Sequence, residues 1–201
     1  MDFAAVLQKL QRADDGAQFL QRAAQGAKDR QLLFLNPLLG WRRMKLYFMM
    51  GLPTETDDDV LAITAAARRV LEIGRVVVGR GYKSGVSVSV SVSVFVPKCF
   101  TPFQWCGQLP IDEVRRRQDL MIRANRDRDI HISYHDAQVS VVEAALSKMG
   151  RAGFELVYGA WQRGCRFDAW TDQFKYEQWL EAGRAMGIDL EELAAEPYDL
   201  V

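Results

Sequence analysis

Lys45-Leu-Tyr-Phe-Met-Met-Gly-Leu-Pro-Thr-Glu-Thr56 carries an apolar strand into a Gly-Leu-Pro turn and then into the acidic start of a helix at Asp57-Asp-Asp59. This succession opens a βα unit, and its turn lies at the C-terminal end of a strand, where parallel α/β folds place their ligands. Gly51 lets a ligand approach the backbone closely. Thr56 and the three aspartates supply an N-cap and the negative charge that a helix N-terminus favours. Val60, Ile63, Ala67, Val70 and Leu71 recur at helical spacing and predict a helix over 57–73.

A second unit follows. Val86 to Val94 alternates valine with serine and runs into Phe95-Val-Pro-Lys-Cys-Phe-Thr-Pro-Phe-Gln-Trp105, a strand stopped by a Pro-rich loop. Parallel strands buried on both faces usually read as continuous apolar runs, whereas small polar residues face inward where a barrel lumen holds a ligand. The serines therefore fit either side of the sheet. Arg75 to Gly85, rich in glycine and valine, reads as a connection or a short strand.

Pro110, with Asp112 and Glu113 behind it, opens a helix that ends near Asn125. Ile130 to Tyr134 reads as a third strand, and helices are predicted over 139–148, 153–162, 175–186 and 190–195. At the other end, apolar residues from Phe3 to Ala24 recur at helical spacing around a break at Asp14-Asp-Gly16, which reads as a helical hairpin. Alternating strands and helices imply right-handed crossovers and a parallel sheet, so the class is α/β. Three strands are too few to close a barrel, so the first should expose an edge open to self-association.

Bulk properties narrow the partners. With 201 residues and 49% hydrophobic content there is enough chain for a well-filled core. Lys plus Arg and Asp plus Glu number 26 each, so no overall field favours nucleic acid. Arg115-Arg-Arg117 alternates with acids and reads as a solvated helix face. Three cysteines without a framework pattern, no secretory leader pattern and no long apolar run point to the cytoplasm and away from a membrane.

These two loops, together with His135-Asp136, Ser140 to Glu143, Gly164-Cys-Arg-Phe-Asp-Ala-Trp170, Phe174, Tyr176 and Trp179, resemble the later part of radical S-adenosylmethionine (SAM) proteins of the cobalamin-associated group. The likeness spans about residues 40 to 200. It implies a partial (β/α) barrel of the radical SAM type with helical N- and C-terminal extensions: a leader over 1–39, the partial barrel over 40–136 and a helical region over 137–201. By the resemblance, Gly51, Leu52, Pro53, Glu55 and Thr56 would lie beside the methionine and ribose of SAM, and Val96 and Pro97 beside its adenine. Glu55 and Thr56 serve equally well as caps of the following helix.

The departures from that pattern limit the chemistry. Complete members hold SAM on a 4Fe-4S cluster bound by a CxxxCxxC loop, whereas Cys99, Cys106 and Cys165 have other spacings, so a cluster is not expected in this chain. Cys99-Phe100 replaces the Pro-His that the family places before Thr-Pro-Phe-Gln-Trp, and Lys148-Met-Gly-Arg-Ala152 replaces an Arg-Gly-Asp-Arg-Arg-like segment. His131 and His135 fall on a strand and its exit rather than on one helical face, so they are not read as a metal pair, and Asp136 reads as a turn residue. Trp161, Phe167, Trp170, Phe174, Tyr176 and Trp179 read as packing for the terminal helices. No catalytic or metal-ligating residue is assigned. The expectation is a fragment inactive alone, whose first barrel half is supplied by a separate polypeptide, or else a non-catalytic binding module or a remnant.

Overall fold

The computed structural model describes residues 42–78 and 85–197. The predicted leader over 1–39, with its hairpin, and most of the glycine-rich stretch before Gly85 lie outside the described residues. The chain runs β1 (Arg43–Met50), α1 (Asp57–Val78), β2 (Ser87–Val94), α2 (Ile111–Ala124), β3 (Ile130–Tyr134), α3 (Ala137–Met149), a 3-10 turn (Gly150–Ala152), α4 (Gly153–Gln162), α5 (Tyr176–Ala185) and α6 (Leu190–Ala195). The class is α/β, as the strand and helix alternation predicts.

The strands lie in the order β1-β2-β3. Ser87 N–H donates to the Arg42 carbonyl (2.9 Å) and Phe95 N–H to that of Met50 (2.7 Å), so both strands advance in the same sense. Val88 N–H donates to the Asp129 carbonyl and His135 N–H to that of Val92, each at 2.9 Å, so β3 is parallel as well. This register sets Leu46, Val90 and Ile132 in one row and Lys45, Ser89 and His131 in the next, on the opposite face.

The described residues divide into two compact units, the first comprising 42–48, 56–78 with 85–91, and 120–133, the second 49–55, 92–119 and 134–197. In the first unit Val88, Val90 and Ile130 are buried, as are Val60, Ile63, Ala67, Val70 and Leu71 of α1 and Met121 at the end of α2. Arg43, Lys45, Tyr47, His131 and Ser133 are exposed and the serines of β2 half-buried. The valines thus face the helices and the serines the open side. The Thr64 hydroxyl donates to the Met121 carbonyl at 3.3 Å, which ties α1 to the last turn of α2.

Residues Arg75–Val78 correct the sequence reading: they are neither connection nor strand but the last turn of α1. Gly74 does not end the helix because it is a contact point. A Cβ there would come within 2.7 Å of Val86 Cγ1, so its bare backbone lets α1 lie close on the sheet. Arg75 then reaches Asp127 at 2.7 Å and Asp129 at 2.6 Å, and its hydrogen bond holds the Asp127 carboxyl below its usual value.

In the second unit Asp136 N-caps α3, accepting from Gln138 N–H at 2.7 Å, which is the turn role read from the sequence. Helix α3 packs on α6, and α4 on α5. Their shared core is Val141, Ala145, Leu156, Ala160, Trp179 and Leu190 with small residues between. Lys148 Nζ donates to the carbonyls of Leu193 (2.9 Å), Ala194 (3.0 Å) and Glu196, placing a cation where the α6 dipole is negative. Burial lowers the Lys148 pKa.

The aromatic residues of this region need a correction. Tyr176 and Trp179 are buried and Phe174 half-buried, as packing requires, but Trp161, Phe167 and Trp170 are exposed. Sequence alone predicted the helices but did not separate a buried apolar stripe from an exposed one.

Candidate functional site at the strand ends

The turn after β1 and the loop after β2 both belong to the second unit, and a backbone hydrogen bond from Phe95 to Met50 joins their origins. Gly51 adopts φ 91°, in the left-handed region that favours glycine, and a Cβ there would meet Leu109 at 3.3 Å. Glu55 N–H donates to the Leu52 carbonyl at 3.1 Å, closing a tight turn over Pro53 and Thr54. The Glu55 carboxylate folds back across it and accepts from the Gly51 N–H at 2.7 Å.

Arg117 completes this arrangement. Its guanidinium donates to Glu55 Oε2 (2.8 Å), to the Glu55 carbonyl (3.1 Å) and to Glu113 Oε1 (2.9 Å). The Glu55 and Arg117 side chains are only 8% and 11% exposed. Reading Arg115 to Arg117 as a solvated face is therefore corrected for Arg117. It occupies the inner stripe of α2 between Val114 and Met121, at i+3 from the first, and that spacing was the available signal.

Two glutamines reinforce the same region. Gln108 Nε2 donates to the carbonyls of Phe95 and Ser140, both at 3.1 Å, and Gln118 Nε2 to that of His135 at 3.1 Å. Pro97 is buried and its carbonyl accepts from the Ser147 hydroxyl at 2.8 Å, while Val96 packs against the helical core. Gly51, Leu52, Pro53, Glu55, Val96 and Pro97 are thus gathered at adjacent strand ends, but the turn amide, the Glu55 carboxylate and the Phe95 and Pro97 carbonyls all have partners within the unit.

Thr56 belongs to the first unit. Its N–H and hydroxyl donate to Asp59 Oδ2 at 2.9 and 2.7 Å, and Asp59 N–H returns to the hydroxyl at 3.4 Å. This is a reciprocal N-terminal cap, the structural alternative to ligand binding.

The remaining candidates stay apart. Cys99 is exposed, Cys106 half-buried and Cys165 buried in the helical core, where burial pushes its thiol pKa up. Among the described residues no three His, Cys, Asp or Glu side chains are grouped so as to hold a metal ion. Ser140 lies 3.4 Å from His135 Nδ1, but its hydroxyl is sealed in the core and donates to the Asp136 carbonyl at 2.9 Å, so it is not poised as a nucleophile. Among the described residues no helix is long and apolar enough to cross a membrane.

The charge network makes an acid-side prediction. Hydrogen bonds from Arg116 and then Arg117 hold the Glu113 carboxyl at about 2, below its ordinary 4.5. A depressed carboxyl adds stability that is complete above the ordinary value and is lost as pH falls towards the folded one. Urea midpoints are expected to drop across that window, and Glu113→Gln to flatten the drop while leaving the fold intact.

No protein-family model, curated protein or solved structure matches this chain.

Proposed function

We propose that this chain is a non-catalytic binding module, related to the later half of a radical SAM-type barrel and completed by a separate polypeptide along its sheet. The observation that carries the reading is the one-sided first unit. Val88, Val90 and Ile130 are covered, while Arg43, Lys45, Tyr47, His131 and Ser133 are exposed on the other face. Parallel sheets are nearly always covered on both faces, so this face is a place for further protein. β1 is an outer strand of the sheet and has an edge to extend.

The strand ends support the non-catalytic half of the proposal. Of the groups that the radical SAM resemblance assigns to SAM, the Gly51 amide is taken by Glu55, the Glu55 carboxylate by Arg117 and the Pro97 carbonyl by Ser147. The separated cysteines do not fit a cluster, and Cys165 is a poor thiolate. No chemical step is assigned to the chain.

Anaerobic reconstitution of the purified chain with iron and sulfide tests this, followed by incubation with SAM and a reductant. The expected result is iron and sulfide no higher than in a variant lacking all three cysteines, with no cleavage of SAM. A stoichiometric, cysteine-dependent cluster with SAM cleavage would overturn the reading in favour of an enzyme.

A further inference from the structure

Helix α4 is apolar on two sides. Gly153, Leu156 and Ala160 are buried beneath it, whereas Phe154, Val157, Tyr158 and Trp161, spaced i, i+3, i+4 and i+7, form a second stripe that faces outward. Phe154 is 68% exposed and Trp161 51%. Their rings stack along the helix: Phe154 on Tyr158 at 6.1 Å and 6°, Tyr158 on Trp161 at 5.7 Å and 13°. Arg166 lies over the Trp161 ring at 4.4 Å, and the exposed Phe167 and Trp170 follow in one turn closed by a bond between their backbones.

We propose that this ridge is a self-association surface, on which a second copy of the chain packs its own α4 in antiparallel fashion about a two-fold axis. Three observations select that occupant. The stripe runs i, i+3, i+4 and i+7 along α4, the spacing with which one helix packs against another. The whole chain has net charge +0, so no overall field selects a polyanion or repels a like copy.

Area is the third. At ~200 Å² for a full aromatic side chain, the exposed parts of Phe154, Tyr158, Trp161, Phe167 and Trp170 come to roughly 600 Å² per copy. Pairing two such surfaces buries on the order of 1,200 Å², enough for a specific though small interface. The two-fold arrangement uses the same patch on both copies and closes, so it gives a dimer and no fibre. This surface is separate from the sheet face of the proposed module and does not rest on that reading.

Sedimentation equilibrium or light scattering across concentrations up to about 100 μM tests the proposal, a range that reaches weak dimers. The wild-type chain is expected to reach the dimer mass. Tyr158→Glu and Trp161→Glu, at exposed positions, are expected to weaken association at least ~10-fold with an unchanged circular dichroism spectrum. A wild-type monomer throughout the range overturns the proposal, as does a dimer that survives both substitutions. Binding of a single-stranded oligonucleotide or anionic vesicles by a wild-type monomer, lost in Trp161→Glu, would overturn it in favour of another partner class.

Discussion

Replacing Arg117 with alanine is expected to destabilise the chain by about 3–5 kcal/mol, the cost of stranding one partner of a buried ion pair. The substitution removes three donors at once. Glu55 would keep its 8% exposed carboxylate next to the Gly51 amide but without a cation, and its own carbonyl would lose a donor. Glu55→Gln should cost less, because a neutral amide keeps an acceptor for the Gly51 N–H while Arg117 retains Glu113. Urea unfolding of the two single variants and their combination decides the matter. A coupled pair gives a double variant far less destabilised than the sum, and additivity would mean that the pair does not hold the turn. An Arg117→Ala cost below about 1 kcal/mol would place it among solvated surface pairs after all.

Strands and helices were legible because periodicity records which face is buried. The valines of Ser87–Val94 and the 57–71 stripe were both visible, and so were the three-strand alternation and the parallel class. The side on which the serines lie was not, since alternation has no sign until a helix covers one face. The run past Ile73 was missed because the glycines and valines from Arg75 to Gly85 read as a connection or a short strand, and only the nearby Val86 shows that the missing side chain of Gly74 is what the packing uses. The existence of α4 was legible, but which of its apolar stripes is buried was not, and Trp161, read as packing, lies on the outward one.

The strand-end region was legible in outline only. A strand followed by Gly-Leu-Pro and an acidic helix start places a turn, and residues 51–55 with Val96 and Pro97 do meet at neighbouring strand ends. What occupies them depends on side chains distant in sequence. Arg117 reaches Glu55 across sixty-two positions, and Gln108 ties Phe95 to Ser140 from the far end of a Pro-rich loop. Such partners leave no local pattern beyond a charge inside an apolar stripe. They convert a turn that looks ready for a ligand into one that is internally satisfied.

Gly107→Ala is expected to have the second large effect, because no rotamer relieves it. A Cβ at Gly107 would run into the backbone carbonyl oxygen of Ala195 at the end of α6, and backbone, unlike a flexible side chain, cannot move aside alone. That carbonyl belongs to a segment fixed from two directions. Gln108 N–H donates to the Ala194 carbonyl at 2.9 Å, and Lys148 Nζ holds the carbonyls of Leu193 and Ala194. Relief requires α6 to leave α3, which would expose Leu190 and Ala194, both buried in the helical core. Losing a fully buried leucine contact and its hydrogen bonds costs ~3 kcal/mol or more. Amide hydrogen exchange should therefore accelerate in 190–195 and along the facing side of α3, while α1 and the first unit keep wild-type protection. Uniform acceleration through both units would mean that the substitution unfolds the chain globally, and no acceleration would mean that α6 does not seal this core.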